Sequence, residues 1–347
     1  MTGTLFDHAL RLHRLTPDGP LRHDGEPCPD HGARYVHGGK DERRKGADAA
    51  ALLDRHFADP EARPSDLAGA FRQVHVPIHR NDHLAAAALR ADRDRVRQTG
   101  RWLVRHSTDR NGATAGLALL ATDWNKADIP LIQTIGLLSS HFAPLAATAL
   151  RRRGDEDALL WLARRSADWG RVYLVEELCR YGPVRSRDWL LRHSFDGDYL
   201  NAYFAVQVAI AADLHTALVE GEPDDELLDH TGRLLSCIAG PGGPSSNLAD
   251  YPAGRPVVDA HARHVARQEP TFERFVNVAQ VAQQLSRDPG SNGFAAEHTA
   301  DFVRRYRTVL DRPEWCAAVH HGLAARHEFV AWCTRLGRQL GLKAFTG

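Results

Sequence analysis

The sequence predicts an all-α protein assembled from stacked helical repeats, and three observations carry that expectation. An eight-residue string, Trp-Leu-x-Arg-(His or Arg)-Ser-x-Asp, occurs at residues 102–109, 161–168 and 189–196. The first two tryptophans stand 59 positions apart and the last two 28. The longer interval therefore holds two periods and a decayed copy near Leu131, and a unit of about 29 residues lies within the range of stacked helical repeats. Alanine- and leucine-rich segments of helical spacing run on from Ala47, and no strand-like alternation persists anywhere.

The elements follow in order. Residues 5–15 have the pattern of one short helix. Residues 16–46 are dense in Pro, Gly, His and charge, so residues 1–46 read as a short helix with a polar arm. Residues 47–96 read as N-terminal capping helices broken at Pro60, Pro64 and Pro77, because proline interrupts the helical hydrogen-bond ladder. A new helix is expected at Asn81 or Asp82, both good N-caps. Residues 97–215 form the repeat block, laid out as four helix pairs: 97–106 with 111–121, 129–139 with 142–152, 155–165 with 169–181, and 187–193 with 199–214. Residues 216–256 read as a loop-rich connection with breaks at 220–225 and 240–255. Residues 257–347 read as a C-terminal helical cap.

The repeated string has a physical rationale. Its Trp and Leu close one helix, its Ser-x-Asp occupies the turn, and an apolar helix follows. Asp109, Asp168 and Asp196 are placed to accept hydrogen bonds from the free N–H groups of that next helix and to oppose its dipole. Arg105, Arg164 and Arg192 are placed to reach carboxylates at a neighbouring turn, and the tryptophans to fill the wedge between helix layers.

On these residues the chain resembles the HEAT and armadillo class of α-solenoids, which carry an acidic residue at the inter-helix turn followed by an Arg-Val or Val-Arg pair. Asp168-Trp169-Gly170-Arg171-Val172 is similar to that pattern. The resemblance covers residues 97–214 and implies a curved stack of antiparallel helix pairs, with about four recognisable units between capping helices. The 29-residue unit is shorter than usual for HEAT repeats. The class holds scaffolds, transport factors, inhibitors and a few enzymes, so it speaks for architecture rather than activity.

Composition narrows the setting. The 44 basic residues balance the 44 acidic ones, and only Lys40, Lys45, Lys126 and Lys343 are lysines. A net charge of zero supplies no global field for DNA or anionic lipid. No long apolar run suggests a secretory signal or a membrane span. Five scattered cysteines, Cys28, Cys179, Cys237, Cys316 and Cys333, argue against a disulfide framework and for a reducing cytoplasm.

Candidate chemistry lies at several places. Trp124 and Asp128, in Asp123-Trp124-Asn125-Lys126-Ala127-Asp128, have the spacing of a Trp and an Asp on the DNA-binding face of the HEAT-like glycosylases for alkylated bases. That resemblance implies a Trp124 that contacts the damaged nucleotide and an Asp128 that stabilises the cationic sugar. The alternative is an N-cap, since Asp128 precedes Ile129-Pro130. His23, Cys28, His31 and His37 in the arm offer zinc ligands, with Cys28-x-x-His31 as the tight pair. His75, His79 and His83 surround Pro77, while His261 and His264 stand one turn apart on a segment that reads as a polar helix face. Tyr199, Asn201 and Tyr203, at the start of the last repeat helix, together with Trp169 and Arg171, are candidate partner-binding residues, because rigid aromatics and arginine anchor interfaces. No nucleophile elbow, phosphate loop, dinucleotide fingerprint or His-Glu-x-x-His string is present.

The expected function is that of a cytoplasmic binding scaffold holding a protein or peptide on its concave face, without a cofactor. The alternatives are a DNA-binding or DNA-repair protein of the glycosylase type, and a metal-dependent or small-molecule enzyme built on the histidine-rich N-terminal third.

Overall fold

The computed structural model describes residues 3–21, 28–30, 41–239, 247–287, 290 and 292–346. Among them there are α-helices and short 3-10 or π turns and no strand. No helix among the described residues is long and apolar enough to cross a membrane. The chain divides into two compact units, residues 1–181 and 182–347, so the division falls inside the stretch that carries the repeated string.

The first unit holds α1 (Leu5–Leu15), α2 (Ala47–Ala58), α3 (Pro64–Phe71), α4 (Asp82–Arg90), α5 (Arg93–His106), α6 (Arg110–Leu120), α7 (Ile129–Gly136), α8 (Ser139–Arg152), α9 (Glu156–Ala163) and α10 (Asp168–Tyr181). Local chemistry explains most of their boundaries. Thr4, Asn81, Asp92, Asp109 and Asp155 each accept a hydrogen bond from a backbone N–H in the first turn that follows, and Pro64 occupies the first turn of α3. The centre of the unit is α6, buried at every residue from Asn111 to Leu120. A helix apolar all round belongs in a core, and α6 packs on α3, α4, α5 and α8. Helix α8 packs on α6, α7, α9 and α10, while α1 lies against α5 and α7. Leu53, Phe71, Leu103, Leu117, Ile132 and Phe142 are fully enclosed.

The repeated string proves to be two devices. Its leucines, Leu103, Leu162 and Leu190, and its serines, Ser107, Ser166 and Ser194, are buried in every copy. Ser166 Oγ donates to Leu162 O at 2.9 Å and Ser194 Oγ to Leu190 O at 2.6 Å, closing the last turn of each helix. The acidic residues differ more than the string suggests. Asp109 caps α6 through Gly112 N at 3.0 Å. Asp168 sits at φ 49°, a left-handed conformation that Asp tolerates better than most residues. Asp196 accepts from Asp198 N and Asn201 Nδ2, and the cap of the following turn is Asp198. Arg192 pairs with Asp188 and with Asp224, the N-cap of α13 (Asp225–Ile238), as expected for an arginine reaching a neighbouring turn.

The second unit comprises α11 (Arg187–His193), α12 (Ala205–Ala211), α13, α14 (Gly254–Val265), α15 (Phe272–Arg287), α16 (Ala296–Leu310), α17 (Pro313–Ala325) and α18 (Val330–Leu340). Helix α13 lies inside the stretch expected to be loop-rich and packs on α11, α12, α14 and α15. Residues 199–203 form a 3-10 turn where a regular helix was expected. At three residues per turn Tyr199 and Tyr203 do not share a face.

Buried histidines tie both units to pH. His261 on α14 is 1 % exposed, not on a solvated face, and its Nδ1 lies 2.9 Å from Tyr306 Oη. Burial pushes it down from its usual 6.5 to about 4, and burial with the Arg110 charge does the same to His141, 3.0 Å from Thr114 Oγ1. Each of these groups is neutral in the fold. As pH falls from 6.5 towards 4 the unfolded chain takes up a proton that the folded one refuses, so stability is full above 6.5 and is lost across that window. For His261 alone the expected loss at pH 5 is about 2 kcal/mol. Urea midpoints at pH 7.5 and pH 5 check this, and an unchanged midpoint would refute it.

Candidate functional site

The most unusual surface of the first unit is built by the segment 121–128, between α6 and α7. One arginine among forty carries little sequence signal, yet five arginines converge here. Arg93, Arg97 and Arg101 fall at four-residue intervals on one face of α5. Arg152 and Arg153 come from the C-terminal end of α8.

Two carboxylates on the segment are consumed by these cations. Asp123 is buried and accepts from Arg93 Nη2 at 2.7 Å, from Arg93 Nε at 3.0 Å and from Arg97. Burial by itself would raise its carboxyl, but the hydrogen bonds from Arg97 and Arg93 outweigh burial and hold it well below the usual carboxylate range. Asp128, 2 % exposed, pairs with Arg101 and, at 3.6 Å, with Arg153. It stands at the N-cap position of α7, but its side chain makes no capping bond there. The expected cap is therefore replaced by a buried ion-pair network.

Trp124 does the opposite and faces out, 54 % exposed. The Arg93 guanidinium stacks 3.8 Å from its ring centroid and that of Arg152 lies 5.7 Å away, within the range of cation–π attraction. Arg152 also lines an apolar cleft of about 210 Å³ between α4, α6 and α8, with Leu84, Ala85, Leu89, Ala118, Ala121 and Leu145 among its walls. Leu89, on its rim, is 74 % exposed. Arg80, Arg151 and Arg152 line the same cleft, and Lys126 is exposed on the adjoining segment. An indole, an aliphatic rim and cations thus meet on one surface. Sequence reasoning singled out Trp124 but missed Leu89, Arg93 and Arg152, whose meeting depends on three separate helices.

The other expected site residues fall as follows. Trp169 reaches the surface and stacks on Tyr173 with centroids 6.0 Å apart, whereas Arg171 is buried and donates to Ser166 O. Tyr199 is exposed, Tyr203 half-buried, and Asn201 buried within its own turn. Of the arm set, His23, His31 and His37 lie outside the described residues; burial and Asp30 push the Cys28 thiol up. His79 lies against Tyr173, and His83 against Arg43 O at 2.8 Å. Among the described residues no group of three His, Cys, Asp or Glu side chains is arranged to hold a metal. Burial also pushes the thiols of Cys179 and Cys237 up, to about 12 and about 11.

Compared with families of known proteins, with curated proteins and with solved structures, the chain matches none.

Proposed function

We propose that this protein is a cytoplasmic binding scaffold of the HEAT-like α-solenoid kind, and that its first unit holds a protein partner on the surface around Trp124. The architectural part is supported by the pairing of α5 with α6, α7 with α8 and α9 with α10. It is also supported by the serial packing of α5, α7 and α9 in one row and of α6, α8 and α10 in another, the pattern that stacked repeats make.

One observation carries the functional part: Trp124 and Leu89 are large apolar side chains turned to solvent beside a preformed cleft, and such exposure costs free energy unless a partner covers it. The glycosylase reading needs a carboxylate presented to a cationic sugar. Asp128 instead lies in the interior with Arg101 and Arg153, which favours the scaffold. The cleft is also smaller than the roughly 300–1,000 Å³ that enclose a small-molecule ligand, a size suited to one or two anchoring side chains.

Quantitative cross-linking in extracts of cells that make the protein, comparing wild type with Trp124→Ala, tests this. Proteins captured by the wild type are expected to be depleted from the variant. Equal capture by both would overturn the assignment of the surface, and capture of nucleic acid in place of protein would return the DNA-binding reading.

A further inference from the structure

The cleft beside Trp124 also constrains the chemistry of what it holds, on the footing that it is a partner site. Its floor is apolar and deep: Leu84 and Leu145 are almost wholly enclosed, while Leu89 stands at the mouth. Its rim is cationic. Arg80 is 71 % exposed, and its ion pair with the still more exposed Asp82, at 3.9 Å, is of the kind that contributes little. Arg152 is exposed, with the indole of Trp124 as its neighbour. Of the carboxylates around this rim, Asp123 and Asp128 are buried and paired, Glu177 is paired with Arg151, and Asp82 stands exposed beside Arg80.

We infer that the occupant is an acidic protein segment carrying one or two aliphatic or aromatic anchors, with the anchors seated between α4, α6 and α8 and its Asp and Glu side chains against Arg80 and Arg152. An apolar floor selects carbon-rich side chains, and a rim whose charged lining residues are arginines selects acidic groups and steers their approach. A nucleic-acid strand is the poorer match. Tracking phosphates needs a long run of free cations, and here Arg97, Arg101 and Arg153 are already held by Asp123 and Asp128, and Arg151 by Glu177.

A displayed library of random peptides panned on the full-length protein tests the inference. Recovered sequences are expected to be enriched in Asp and Glu around Leu, Phe or Trp, and synthetic copies to bind more weakly as salt rises. Leu89→Glu and Arg152→Glu alter exposed side chains, so the thermal melt of each should match wild type while peptide affinity falls about tenfold or more. Replacing acidic residues of the peptide with lysine should recover binding to Arg152→Glu. Recovery of no binders, of basic binders, or of binders indifferent to both substitutions would overturn the inference, as would tighter binding to a single-stranded or duplex oligonucleotide than to any peptide. If those failures occur while cross-linked partners still depend on Trp124, the acidic-segment inference falls and the scaffold reading stands. If Trp124 proves irrelevant as well, both fall.

Discussion

Replacement of Arg153 by alanine is expected to destabilise the first unit by about 3–5 kcal/mol, the range for leaving a buried charge without its partner. The guanidinium is wholly enclosed. It donates from Nη1 and Nη2 to Leu120 O, both at 3.1 Å, from Nη1 to Ala149 O at 2.8 Å, and from Nε to Asn125 O at 3.0 Å, while facing Asp128 at 3.6 Å. Alanine therefore strips donors from the carbonyls that end α6 and α8, opens a void, and leaves Asp128 to Arg101 alone. Lysine is no remedy, because one ammonium cannot span the fork. Pairing Arg153→Met with Asp128→Leu should recover part of the loss, since no lone charge then remains in the interior. The neighbouring Arg152→Ala, at an exposed position, should change stability little. Urea unfolding followed by far-UV circular dichroism reads all three, and an Arg153→Ala loss within about 1 kcal/mol of zero would contradict the account. Because Arg153 also holds the segment that presents Trp124, partner capture should fall in the same variant.

What could be read in the sequence, and what could not, divides by the distance over which each signal acts. Thr4, Asn81 and Asp109 cap helices through bonds three residues long, so their helix starts were visible in the chain itself. Pro77 likewise marks an interruption locally. Asp128 shows the limit: its neighbours Ile129-Pro130 announce a cap, but its side chain is taken by Arg101 and Arg153, each at least 25 positions away. His261 reads as solvated among Asp259, Arg263 and His264, and is buried because Tyr306, 45 residues on, closes over it. Helix α13 was passed over because the breaks on either side dominate its stretch, and its support comes from α15, which lies beyond the second break. The cleft is the extreme case. Trp124 stands out in the sequence, but neither Leu89 nor Arg152 does, and only the convergence of α4, α6 and α8 brings them together beside it.

A close approach of backbone to backbone in the first unit supplies the second large expected effect. Helices α5 and α6 meet at Gly100 and Gly116. A Cβ on Gly116 would lie 2.7 Å from Leu103 Cβ, 2.9 Å from Gly100 O and 2.9 Å from Val104 N, and one on Gly100 would lie 3.1 Å from Gly116 O. Most of these neighbours are backbone or Cβ atoms, which have no rotamer to retreat into, so relief requires the helices themselves to part. Because α6 is buried on every side, that separation would be passed on to α3, α4 and α8. Gly116→Ala is therefore expected to cost about 3 kcal/mol, at the upper end for overpacking, although alanine favours the helix intrinsically. Gly69 on α3 provides the opposite case in the same unit. A Cβ there meets nothing within 4 Å, so Gly69→Ala should stabilise by about 0.5–1 kcal/mol through helix propensity alone. The two substitutions remove the same conformational freedom from the unfolded chain, so any difference between their urea midpoints reports on the α5–α6 contact. Equal midpoints would mean that the helices are not in contact at Gly100 and Gly116. A Gly116→Ala protein that is destabilised and also loses partner capture would show that the cleft between α4, α6 and α8 depends on the seating of α6 against α5.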